Sequence, residues 1–153
     1  MDIEEIIKST LPLSIEKKTI LNIIYTKNII SDKFNELLKP FEISEEQYNV
    51  LRILRGQKGI LCNMFTIQER MLVKTSNTTR LVDKLLLKEF VNRAICPENR
   101  RKMEISITQK GLNILSELDN SVVQHEQLFS DNLSKEELIQ LNKLLEKYRT
   151  ITK

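Results

Sequence analysis

Residues 76–107 constrain this chain more tightly than any other stretch. In Ser76-Asn77-Thr78-Thr79-Arg80-Leu81-Val82-Asp83-Lys84-Leu85-Leu86-Leu87-Lys88, Thr78, Leu81, Val82, Leu85 and Leu86 share one arc at about 100° per residue. Asn77, Arg80, Lys84 and Lys88 form a polar stripe opposite, so the segment is predicted to be a helix with one buried face. Val91-Asn92-Arg93-Ala94-Ile95 follows, then the basic turn Cys96-Pro97-Glu98-Asn99-Arg100-Arg101-Lys102. Met103, Ile105 and Ile107 alternate with Glu104, Ser106 and Thr108 at the strand period. Helix, strand, cationic turn and strand together predict a winged helix, in which one helix enters a DNA major groove and the hairpin lies along the backbone.

The residue types on the stripe suit that task. Asn pairs bidentately with an adenine edge, Arg with guanine, and Lys meets phosphate. Thr79 stands at the seam between the two arcs. Leu87 falls among the polar positions, and either the wing or a neighbouring helix is expected to cover it. A charged stripe alone describes any solvated helix face; the hairpin decides the matter. Pro97 and Asn99 supply its turn, and Arg100, Arg101 and Lys102 lie near the tip, where a narrow minor groove attracts guanidinium groups.

Composition sharpens the reading. Three glycines, three prolines and 5% aromatics in 153 residues favour a mainly α chain over a β-sandwich, and the length suits one domain. Residues 74–110 hold nine Lys or Arg against four acids, a local +5 in a chain of net +3, so the positive charge is concentrated where a polyanion would sit. No run of 18 apolar residues occurs and the first residues are acidic (Asp2, Glu4, Glu5), which argues against a membrane span or signal peptide and for a cytoplasmic protein. Two cysteines 34 residues apart and a single histidine make a metal site improbable, and no cofactor is expected.

Along the chain, residues 14–38 are predicted to be a long helix with Ile20, Ile23, Ile24, Ile30, Phe34, Leu37 and Leu38 as apolar marks, stopped by Pro40. Ser44-Glu45-Glu46-Gln47, Thr66-Ile67-Gln68-Glu69 and Ser134-Lys135-Glu136-Glu137 read as capping boxes, each opening a helix. The second would start a short helix through about Leu72, paired with 76–88 as a helix-turn-helix. Thr108 is expected to cap a helix to about Ser130, and Leu138, Leu141, Leu144, Leu145 and Tyr148 mark the last one. The helices outside 44–107 carry more apolar surface than a small winged helix needs. Their simplest use is a dimer interface, whose two-fold symmetry suits palindromic DNA.

These pieces in this order resemble the MarR family of bacterial winged helix-turn-helix regulators. The likeness runs through Ile43–Leu54, Thr79-Arg80-Leu81-Val82-Asp83-Lys84-Leu85, Val91-Asn92-Arg93, Asn99-Arg100-Arg101 and Ile105–Gly111 to two closing helices. The resemblance implies one domain over 1–153, with a winged helix-turn-helix core at about 44–107 and dimerisation helices at 1–40 and 108–153. It also implies a homodimer on a pseudo-palindromic operator, released by a small molecule or an oxidant. Major-groove contact is implied for Ser76, Asn77, Thr79 and Arg80, and minor-groove contact for Arg101. Two departures stand out: Asn99 replaces the acid that commonly pairs with the wing arginines, and Glu89 or Phe90 replaces the glycine between recognition helix and wing.

Other classes fare worse. His125 has no nucleophile or phosphate loop to serve, and the paired carboxylates Glu45-Glu46 and Glu136-Glu137 lie in first helical turns, where they complement the helix dipole, so an enzyme is not expected. A protein–protein adaptor on the same fold is the remaining alternative; the basic wing argues against it. Cys62, in the loop before the helix-turn-helix, and Cys96, beside Arg93, Arg100 and Arg101, are the redox candidates. Tyr25, Phe41 and Tyr48 are the candidate effector residues.

Overall fold

A computed structural model describes residues 2–74, 77–96 and 99–151, with side chains in the hairpin described up to Ile95 and again from Met103. Its elements are α1 (Ile3–Ile6), α2 (Ile15–Leu38), a 3₁₀ turn (Lys39–Phe41), α3 (Glu45–Gly56), β1 (Cys62–Asn63), α4 (Met64–Arg70), α5 (Thr78–Leu87), β2 (Val91–Cys96), β3 (Asn99–Ile107), α6 (Gln109–Ser130) and α7 (Lys135–Tyr148). They fall into two compact units, Met1–Ser116 and Glu117–Lys153.

In the first unit α3 is the central element. Ser44 accepts from the Gln47 amide while the Gln47 side chain accepts from the Ser44 amide, the expected capping box, which satisfies two groups a helix start leaves unpaired. Seven of the twelve residues in α3 are buried, with Val50 and Leu51 fully so, because helices or strands cover it on several sides. Each such side chain contributes about 1.5–3 kcal/mol of apolar transfer energy. Phe34 of α2 meets Tyr48 edge-on at 5.1 Å.

The sheet has three strands in the order β1-β3-β2, all antiparallel. Two of them are the expected wing. The third, β1, corrects the placement of Cys62 in a loop: Cys62 pairs with Ile105 and Asn63 with Glu104. The helix after it also begins earlier than expected. Asn63, not Thr66, is the cap, its side chain accepting from the Thr66 amide at 2.8 Å. The helix ends at Arg70 rather than Leu72 because Met71 turns extended, with φ −63° and ψ 138°.

Glu89 joins α5 to β2 in the left-handed conformation, φ 61°, at one of the two positions where the glycine was missed. Phe90 is buried, and its carbonyl accepts from the Thr108 amide at 3.1 Å. Thr108 caps α6 as expected, its hydroxyl accepting from Gly111 and donating to the Glu89 carbonyl. A Cβ on Gly111 would stand 2.3 Å from the Phe90 carbonyl oxygen, so only glycine fits there.

In the second unit, Ser134 and Glu137 form the third expected capping box at the start of α7. Leu141, Leu144, Leu145 and Tyr148 are exposed along α7, as Ile20 and Ile24 are along α2 in the first unit.

Candidate nucleic-acid interface

The helix-turn-helix is α4 and α5. Thr78, Val82 and Leu85 are buried, while Thr79, Arg80 and Lys84 are exposed, so α5 divides as its sequence predicts. It begins two residues later than expected, and Asn77 is its cap rather than part of it. The Asn77 side-chain oxygen accepts from the Arg80 amide at 3.1 Å. Bidentate pairing with adenine needs that oxygen together with the amide NH₂. The cap takes one lone pair of that oxygen, leaving its second lone pair and the NH₂ group for a base edge. Ser76, the other expected contact at this end, lies outside the described residues.

Two expectations about the stripe need correcting. Lys88 is not a free outward cation, because its Nζ lies 3.2 Å from the Glu42 carboxylate. Leu87 is covered by neither wing nor helix and is 87% exposed. Asp83, on the same helix, binds Arg93 of β2 at 2.8 Å and ties the helix to the wing. Arg93 thus spends its charge on α5. Arg80 and Lys84, with Asn77, Leu81, Ser44 and Glu46, line a shallow cleft of about 340 Å³ between the starts of α3 and α5.

In the wing the register runs evenly from Val91↔Ile107 to Ile95↔Met103, then jumps to Cys96↔Asn99. Arg100, Arg101 and Lys102 fall within that irregularity, which concentrates three cationic residues in one short piece of strand. Their side chains, and those of Cys96 and Asn99, lie outside the described residues, as do Pro97 and Glu98.

The remaining candidates scatter. Cys62 is 2% exposed, and burial pushes its thiol up, with Arg70 opposing in part. That environment disfavours the thiolate on which reactivity depends. Tyr48 is a core residue, Tyr25 lies on the exposed face of α2, and Phe41 sits in the 3₁₀ turn. A second open cleft of about 580 Å³, lined by Asp32, Glu36, Lys39, Glu42, Ile43 and Gln47 among others, includes none of the three aromatics. Among the described residues no group of His, Cys, Asp or Glu is arranged to hold a metal ion. Sequence reading missed the Asp83–Arg93 pair, although an acid on the helix and a base two residues into the strand were visible. It also missed Gln68, taken there as part of a cap.

Residues 43–103 match the model of the MarR family. The chain is similar to a MarR transcription factor from Planctomyces limnophilus, 31% identical with a TM-score of 0.69, covering 89% of this chain and 98% of that one. It is 29% identical over 143 residues to the multiple antibiotic resistance protein MarR of Escherichia coli, covering 92% of this chain and 97% of the relative. A cysteine-to-serine mutant of that protein, crystallised with operator DNA, is 25% identical with a TM-score of 0.74 over 89% of this chain and 95% of that one.

Proposed function

The chain belongs to the MarR family, and on that premise we propose that it acts as a homodimer on a pseudo-palindromic operator, repressing until a small molecule releases it. It is a DNA-binding transcriptional regulator. The observation that carries the reading is the division of α5, with Thr78, Val82 and Leu85 in the core and Arg80 and Lys84 in solvent. A helix so held presents its N-terminal residues to base edges. The major-groove contacts are Ser76, Asn77, Thr79 and Arg80, with Lys84 meeting phosphate. Arg100, Arg101 and Lys102 meet phosphates and the minor groove, where the base code is degenerate.

The dimer reading is supported by exposed apolar faces on α2 and on α7, which a lone chain would leave in water. The whole of 1–153 then works as one unit, with 44–107 reading DNA and the flanking helices pairing two chains. A small molecule is preferred over an oxidant on family grounds, and the burial of Cys62 argues against one of the two redox candidates. Among the described residues no helix is long and apolar enough to cross a membrane, and a regulator of DNA works in the cytoplasm. The described relatives are regulators rather than enzymes, which supports a non-catalytic role.

Incubating the purified protein with fragmented genomic DNA and sequencing what it retains tests this reading. Inverted repeats with half-sites about 10 bp apart are expected. Retention without any shared sequence would favour the adaptor alternative.

A further inference from the structure

One side chain fastens the turn between α4 and α5 on both sides. Gln68, in the last turn of α4, donates from Nε2 to the Lys74 carbonyl at 2.7 Å, and its Oε1 accepts from the Thr78 hydroxyl. A carbonyl can only accept, so the Lys74 contact fixes which end of the amide faces it and leaves Oε1 for Thr78. Thr78 is the first residue of α5 and is 4% exposed. Lys74 returns a bond from Nζ to the Glu69 carbonyl. Gln68 is itself well held: its neighbour Ile67 is fully buried, and its carbonyl accepts from the Met71 amide at 3.3 Å.

We propose that Gln68 is the positioning residue of the recognition helix. Its amide sets the start of α5 against α4, and so sets where Asn77, Thr79 and Arg80 stand relative to base edges, without touching DNA. This rests on the assignment of α5 as the DNA-reading helix. Bidentate base contacts are directional and fail when the helix start moves by about 1 Å, whereas attraction to phosphates tolerates such a shift. Gln68 therefore governs discrimination between sequences more than affinity for DNA in general.

The test uses the full-length protein and fluorescence anisotropy on two duplexes of equal length, a fragment retained in the genomic selection and its scrambled version. Gln68→Met keeps the side-chain length and removes both bonds. Gln68→Glu sets a carboxylate against the Lys74 carbonyl, and Thr78→Val removes the hydroxyl at constant shape. Each should lower the ratio of specific to scrambled affinity about three- to tenfold, the worth of a lost hydrogen bond, with scrambled binding and its salt slope unchanged. Thr78→Ser, which restores the hydroxyl, should keep the wild-type ratio. The double variant Gln68→Met/Thr78→Val should lose little beyond either single change, because both break one device. Should Gln68→Met fail to fold, the Thr78→Val and Thr78→Ser pair decides alone. An unchanged ratio in the Gln68 and Thr78 variants, while Arg80→Ala loses it, would remove the clamp and leave the recognition helix standing. An equal fall on both duplexes would also remove it. An unchanged ratio in Arg80→Ala would remove the recognition-helix assignment and the clamp with it.

Discussion

Glu89 and Gly111 sit on either side of one tight crossing, and each shows what a single residue's backbone demands. At φ 61° a side chain crowds its own carbonyl, which costs an L residue about 1 kcal/mol or more relative to glycine. Glu89 recovers little of this through Lys110, since both partners of that 3.1 Å pair are more than half exposed. Glu89→Gly is thus expected to raise stability by about 0.5–1 kcal/mol in urea unfolding; a loss would mean the ion pair outweighs the backbone. Gly111→Ala is expected to act in the opposite direction. Its methyl group meets the Phe90 carbonyl, and a cost of about 1–3 kcal/mol should appear in the same experiment. Cys62 gives a pH signature. Burial holds its thiol neutral in the folded chain above the pH at which the unfolded chain ionises. Its contribution to stability is complete below the unfolded thiol's pKa and falls away as pH rises toward the folded one. Denaturation midpoints followed from pH 7 upward should decline less in Cys62→Ala than in the wild type, and thiol reagents should react with Cys62 only on unfolding.

At the scale of elements, the Asp83–Arg93 pair joins α5 to the wing at 2.8 Å, with both side chains partly in solvent. Exposed pairs contribute about 0–1 kcal/mol to folding, so Arg93→Gln should hardly move the melting temperature. It should still weaken operator binding severalfold, because helix and wing must meet one duplex together; equal affinity would make the pair ornamental. Elements were legible where local chemistry fixes them. Ser44, Ser134 and Thr108 start helices as their sequences indicate, because a cap is decided within four residues. Thr66 misled because Asn63, three residues earlier, offers an equally good acceptor and the chain turns at once from β1 into α4. Strand β1 was invisible because two residues carry no periodicity, and its existence depends on pairing with β3 some forty residues away. The stripe on α5 was read correctly at Arg80 and Lys84. Lys88 was misread because its partner Glu42 lies far off in the sequence.

For the whole molecule, the proposed dimer would cover the apolar residues left exposed on α7. Removing residues 134–153 is expected to give monomers or insoluble protein in sedimentation, and a full-length chain that stays monomeric at micromolar concentration would contradict the dimer. The sequence pattern showed that these faces are apolar, but a single chain holds no residue that says what covers them. The central claim, that α5 reads DNA through its solvent-facing residues, is tested most directly by titrating a selected operator fragment with wild-type protein and Arg80→Ala at fixed salt. The account predicts a loss of about 1–3 kcal/mol in binding for the variant, with weak binding to scrambled DNA changed far less. Wild-type affinity of Arg80→Ala for the operator would contradict it.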